Sequence, residues 1–325
     1  MQPVETLALP PLPGDLERVE VSLRASVRHD DRFLAEVGAH LIAAGGKRIR
    51  PTLTLCSAYA AAGGDRPVSD AVVTGGVACE LVHLGSLHHD DVIDEAETRR
   101  GVPSVNARWS NIVAILSGDF LLARASALAA SLGADVAGLL ADTIGELCRG
   151  QVLELQHLFD VTRSEEDYES AIEGKTASLF ATSCRIGGMV SGVDEPTLDA
   201  LTRYGQHLGL CFQIVDDCLD LTASDEDLGK PAGQDLVEGI YTLPVIYALG
   251  DESELADLLG GPLDGARRDR ARELAASNGA VDAALAVARD HAKKAGEALA
   301  GADALDADVT GGLRRLVDEL ITRES

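Results

Sequence analysis

Aromatic side chains are scarce here: five Phe, five Tyr and one Trp make up 3% of 325 residues. A core must therefore be built mainly from alanine and leucine, which favours helix over strand. Lysine is rarer still. Only Lys47, Lys175, Lys230, Lys293 and Lys294 stand among 28 basic residues, against 53 acidic ones, for a net charge of −25. Without a basic face to neutralise phosphates along a duplex, nucleic acid is excluded as a partner. The six cysteines form no CxxC pair and read as small buried hydrophobes in a reducing compartment. No segment alternates at period two, no apolar run reaches 18 residues, and no basic leader precedes one. Sheet, transmembrane span and signal peptide are therefore not expected, and the chain is expected to be cytoplasmic.

What remains is helical periodicity. It predicts an all-α protein, with helices near 15–29, 31–43, 50–63, 68–93, 110–131, 134–159, 164–173, 175–191 and 194–221, then shorter ones to about 323. Residues 1–14, rich in proline, read as a flexible N-terminal arm. Residues 15–325 read as a single all-α catalytic domain, because only short Gly/Pro turn clusters interrupt the helices.

One stretch organises the rest: Glu80 to Gly101, ELVHLGSLHHDDVIDEAETRRG. On a helix, Asp90 and Asp94 are i,i+4 neighbours and share a face. The side chains around that stripe are apolar, so its carboxylates must face an internal cavity and meet a cation or donor there. Two carboxylates one turn apart suit Mg²⁺, which is usually held by one or two carboxylates plus phosphate oxygens. Arg99 and Arg100, just beyond the helix end, offer forks for such phosphates. A solvated acidic helix end is the simpler reading of one such motif. The spacing recurs, however, in GLCFQIVDDCLD, at Asp216, Asp217 and Asp220. Two such helices could aim their carboxylates at each other across a cavity and clamp a metal–diphosphate group.

Three of the five lysines sit beside a glycine. Gly45-Gly46-Lys47-Arg48-Ile49-Arg50-Pro51 joins two helices, lets the backbone approach an anion and places three cations within four residues. Arg48 is expected to point away from Lys47 and Arg50. Glu173-Gly174-Lys175-Thr176 reads as a helix start, whose free N-terminus would suit an anion. Lys230 follows the second aspartate motif in a loop. Each of the last two, taken alone, reads as a solvated lysine.

With both aspartate motifs, GGKRIRP, RRG, GKT and FQ in chain order over roughly residues 40–250, the chain resembles the trans-isoprenyl (polyprenyl) diphosphate synthases, especially the bacterial medium- to long-chain members. The resemblance implies antiparallel helices around a deep cavity, usually in a homodimer. It also implies Mg²⁺-dependent head-to-tail condensation of isopentenyl diphosphate with an allylic diphosphate, and peripheral membrane contact for product release. By position, Asp90 and Asp94 would ligate Mg²⁺ with Asp91 in support, and Asp216 a further Mg²⁺ with Asp217 and Asp220 helping. Arg99, Lys175, Thr176, Gln213 and Lys230 would contact the allylic diphosphate. Lys47, Arg50, His83 and Arg100 would hold isopentenyl diphosphate. Where family members often read GKxTLP, this chain has Gly239-Ile240-Tyr241-Thr242-Leu243-Pro244. The lost lysine shifts the load to Lys175 and Lys230.

Such chemistry needs no nucleophilic triad, and none is visible. Product length is read from the turn below the first aspartates. Gly85 and Ser86 are small and Val82, one turn deeper, is medium-sized, so no aromatic floor closes the cavity there. The helix around Phe120 to Leu132 is the expected floor, and the product is expected to have about six to ten isoprene units. Gly85 also fits a second role, in close helix packing. The alternatives are a farnesyl or geranylgeranyl diphosphate synthase, a class I terpene cyclase and a non-catalytic prenyl-binding subunit.

Overall fold

Helices dominate in a computed structural model that describes residues 3–223, 232–251, 253–277 and 279–322. The first eleven are α1 (Pro3–Leu7), α2 (Leu12–Ser26), α3 (Arg32–Ala43), α4 (Ile49–Ala62), α5 (Asp70–Ile93), α6 (Val105–Arg108), α7 (Asn111–Leu132), α8 (Ala134–Gln156), α9 (Glu165–Ile172), α10 (Ser178–Ser191) and α11 (Glu195–Thr222). Gln234–Glu238, Leu243–Asp251, Ser253–Leu258, Gly265–Ala275, Ala280–Ala300 and Ala307–Thr322 follow. The all-α class is as the composition predicts.

Packing divides the chain into two compact units, where the sequence predicts one domain over 15–325. Unit 1 comprises residues 1–144, 179–205 and 298–316; unit 2 comprises 145–178, 206–297 and 317–325. The expected arm is partly ordered into unit 1. Residues Pro3–Leu7 are helical, Leu7 and Leu12 are buried, and α2 starts at Leu12. Pro13 falls in its first turn, where a missing N–H costs nothing.

Helices α5 and α7 form the spine of unit 1. They run antiparallel and so close together that a Cβ on Gly85 would lie 3.1 Å from the Gly118 carbonyl oxygen. Gly85 is therefore a helix-packing glycine. Phe120, expected near the cavity floor, turns the other way: its ring packs on Gly38 of α3 and edge-on to His29. By length and composition α5 and α7 could each cross a membrane, which a search for unbroken apolar runs does not detect, but 72% of the α5 window is buried inside protein.

Two local features depart from the helical pattern. Thr98–Arg99 and Val102–Pro103 pair as a minimal antiparallel hairpin. Its two loop residues, Arg100 and Gly101, both have positive φ, at 55° and 76°, as a type I′ turn requires. In unit 2, Glu173–Ala177 is a π-helical turn between α9 and α10. Gly174 permits it, since a Cβ there would lie 2.7 Å from the Glu146 carbonyl oxygen of the crossing α8. The expected free helix N-terminus at Lys175 and Thr176 does not exist, because the helix runs through them. Five cysteines are buried as small hydrophobes, but Cys148 is exposed.

Candidate active site

In unit 1 the predicted residues converge on the end of α5. Asp90 and Asp94 are half-buried, and Asp94 caps the helix with its N–H donating to the Asp90 carbonyl at 2.8 Å. Asp91, about 100° around the helix, is fully buried and accepts from Arg99 Nε at 2.7 Å. Burial raises its pKa despite that arginine. Arg99 is therefore bound to Asp91.

The basic turn before α4 brings its cations to the same helix. Lys47 is exposed and Arg50 half-buried. The Arg50 guanidinium lies 5.1 Å from the Phe180 ring centroid, and its Nε has no hydrogen-bond partner among the described residues. Burial pushes its pKa down to about 10, against the pull of Glu80 and with the push of Arg100. Arg48 is buried and pairs with Glu20 and, at 3.0 Å, with Glu80. Arg100 donates to the Gly45 carbonyl and lies 3.5 Å from His83 Nε2. Burial, then Arg50 and Arg100, hold the His83 imidazole well below its usual pKa, so it is neutral. Arg50, His83 and Arg100 thus stand together as one cationic group, with Lys47 exposed in the same turn.

Ser86, on the same helix, donates to the His83 carbonyl at 2.9 Å, and Val82 is fully buried.

Unit 2 repeats the aspartate spacing in a different setting. Asp216 is exposed, whereas Asp217 and Asp220 are buried. Asp217 accepts from the Tyr168 hydroxyl at 2.6 Å and from Gln213 Nε2 at 2.8 Å. Thr176 Oγ1 donates to Gln213 Oε1 at 2.7 Å, completing the chain Thr176–Gln213–Asp217–Tyr168. Burial moves Asp217 up to about 7, although Tyr168 and Gln213 oppose it. Asp220 accepts from the Asp235 N–H at the start of Gln234–Glu238. Lys175 pairs with Glu154 of α8. Lys230 lies outside the described residues.

Sequence reading passed over Glu80, Glu154, Arg163 and Tyr168. Arg163 is 5% exposed, lies 5.5 Å from the Tyr168 ring centroid and donates to the Tyr241 carbonyl at 3.0 Å. Only Glu80 had a legible signal, an acid inside an apolar helical run.

The donor sets fit a metal held jointly with a substrate. Among the described residues no three His, Cys, Asp or Glu side chains form a metal cage. Paired carboxylates that await phosphate oxygens are what Mg²⁺ ordinarily uses.

Comparison with known proteins agrees with this geometry. The chain is 42% identical over 251 residues to a nonaprenyl diphosphate synthase of Mycobacterium tuberculosis, covering 76% of this chain and 74% of that one. It is 44% identical over 242 residues to heptaprenyl diphosphate synthase component 2 of Geobacillus stearothermophilus, covering 74% of each. Among solved structures, a polyprenyl synthase of Caulobacter crescentus, complexed with calcium and isoprenyl diphosphate, matches at a TM-score of 0.91 with 36% identity, over 99% of this chain and 98% of that one. The family model described as polyprenyl synthetase matches residues 31–274, and this chain belongs to the polyprenyl synthetase family.

Proposed function

We propose that this prenyltransferase condenses isopentenyl diphosphate head-to-tail with an allylic diphosphate, giving an all-trans polyprenyl diphosphate of about six to ten units. The observation that carries this is the pairing, at one helix end, of two half-buried carboxylates with that cationic group. Asp90 and Asp94 would hold Mg²⁺ for the allylic diphosphate, and Asp216 would hold a further Mg²⁺. Bound Mg²⁺ supplies Lewis-acid neutralisation of the departing charge. Asp91 fixes Arg99 beside that group, while Asp217, held by Tyr168 and Gln213, fixes the helix that presents Asp216. Lys47, Arg50, His83 and Arg100 bind isopentenyl diphosphate, with His83 as a neutral hydrogen-bonding partner. The allylic C–O bond breaks with its electron pair leaving on diphosphate. The isopentenyl double bond then forms the new C–C bond, and the proton lost passes to the released diphosphate.

The small side chain of Ser86 supports a long product, as do the relatives' names. We assign the chain to the cytoplasm, with peripheral membrane contact when the product leaves. A homodimer is favoured by one face of α7, where Ile112, Ile115 and Leu116 are 70%, 44% and 60% exposed; unpartnered apolar faces of this kind mark interaction sites.

Incubating the purified chain with Mg²⁺, labelled isopentenyl diphosphate and a set of allylic primers tests the reading. Chains of six or more units, lost on chelation, support it. A product that stops at farnesyl or geranylgeranyl diphosphate overturns the length assignment. A cyclised hydrocarbon, or no product from any primer, overturns the synthase itself.

A further inference from the structure

Five non-glycine residues in the described chain have positive φ, and two are arginines beside His83 and Glu80: Arg48 at 49° and Arg100 at 55°. A left-handed backbone is unfavourable for a residue with a Cβ and persists only where the surroundings over-determine it. Both side chains run to the same buried carboxylate. Glu80 is 1% exposed, its Oε1 lies 3.0 Å from one Arg48 nitrogen and 3.9 Å from an Arg100 nitrogen, and it sits one turn before His83. The Gly45 carbonyl accepts from both arginines as well. Gly46 has no room for a side chain, because a Cβ would stand 2.7 Å from the Arg100 guanidinium. Arg50 also feels Glu80 as the main charge favouring its ionised form.

These contacts are unequal. Arg48 has a second carboxylate, Glu20, and the carbonyls of Ile42 and Gly45. For Arg100, Glu80 is the only carboxylate within ion-pair distance among the described residues. One carboxylate therefore holds two guanidiniums, Arg48 and Arg100, that would otherwise repel each other, attracts a third, Arg50, and still leaves a surplus of positive charge. Such a site is assembled before its anion arrives, which is how fixed charges become effective.

We propose that Glu80 is the positioning residue of the isopentenyl-diphosphate pocket: it aims Arg100, and through the shared turn Arg50, at the diphosphate without touching it. This rests on the assignment of those arginines to isopentenyl diphosphate. Replacing the charge should loosen the pocket without unfolding it, since Gln keeps an acceptor for Arg48.

The test measures KM for both substrates, kcat and Tm in Glu80→Gln, Glu80→Asp, Glu20→Gln and Arg100→Lys. Expected are a rise of about tenfold in KM for isopentenyl diphosphate in Glu80→Gln, with the allylic KM within about twofold. Glu80→Asp should recover part of that loss, and it carries the same prediction, about threefold, if the Gln variant does not fold. Glu20→Gln, which loosens Arg48 alone, should lower Tm and leave both KM values in place. If Arg100→Lys raises the isopentenyl KM while both Glu80 variants stay within twofold of wild type, Glu80 is structural and the proposal is overturned. If Arg100→Lys changes neither KM, the pocket assignment fails and the proposal falls with it.

Discussion

The two aspartate motifs share a spacing and differ in what secures them. On α5 the middle carboxylate, Asp91, is buried against a full positive charge, Arg99. On α11 the middle carboxylate, Asp217, is buried against a phenol and an amide, Tyr168 and Gln213. In each the first aspartate is left more accessible, Asp90 half-buried and Asp216 exposed. A repeated motif thus fixes the division of labour along a helix, one outward carboxylate and one inward, because consecutive residues lie about 100° apart. It does not fix the chemistry of the inward partner, which other segments supply. The α5 site stands among arginines, whereas the α11 site has a lysine already paired with Glu154.

The largest effects should erase the outward carboxylates. Asp90→Ala and Asp216→Ala are each expected to lower turnover by about 10²–10³, as loss of one oriented electrostatic contact does, with an unchanged helical circular dichroism spectrum. Turnover within tenfold of wild type at saturating Mg²⁺, in either variant, would show that the two motifs are not equivalent in use.

Next come the cations of the turn before α4. Lys47→Ala and Arg50→Ala should raise the isopentenyl-diphosphate KM by about tenfold or more, the scale of one charge-assisted contact. The allylic KM should move little, and equal shifts in both would mis-assign the cluster.

Below Asp90 the two sides of α5 should respond differently to bulk. Ser86→Phe is expected to shorten the product toward farnesyl or geranylgeranyl diphosphate. Gly85→Phe, which meets the α7 backbone, should instead cost about 1–3 kcal/mol of stability through overpacking. Product chromatography and urea unfolding of the pair separate these outcomes. A stable Gly85→Phe enzyme with a short product would return that glycine to the cavity wall.

Tyr168→Phe leaves a buried Asp217 oxygen without its donor and should cost about 1–3 kcal/mol, measured by denaturation, with turnover reduced less than in Asp216→Ala. The last effect concerns pH. Burial holds His88 near pKa 3, with the neighbouring His89 and His40 adding to the shift. Between pH 6.5 and 3 the unfolded chain therefore binds the extra proton, and stability falls as pH drops through that window, by at most about 1.4 kcal/mol per unit. His88→Gln should flatten this part of the acid dependence, read as the urea midpoint at pH 6.5 and 5.

The aspartate spacings were legible because helical periodicity alone puts i and i+4 on one face. Three things were not legible. Lys175 and Thr176 looked like a helix start because the π-turn that carries helix through them depends on α8 crossing at Gly174. Gly85 is equally compatible with a cavity and with a helix neighbour, and only α7 decides. Glu80 was visible as an acid in an apolar run, but its partners come from turns 32 and 20 residues away in sequence.

Arg100 reaches back 55 residues to the Gly45 carbonyl. That contact closes a long loop, and loop closure must precede any reward from it. A chain whose α5 is helical but not yet docked on the turn before α4 would therefore lack the proposed isopentenyl-diphosphate site. Ligand affinity and completed folding are the same event in this region, so inorganic diphosphate should raise Tm by selecting only closed molecules. Titrating it during refolding would count, molecule by molecule, how many chains have tied that loop.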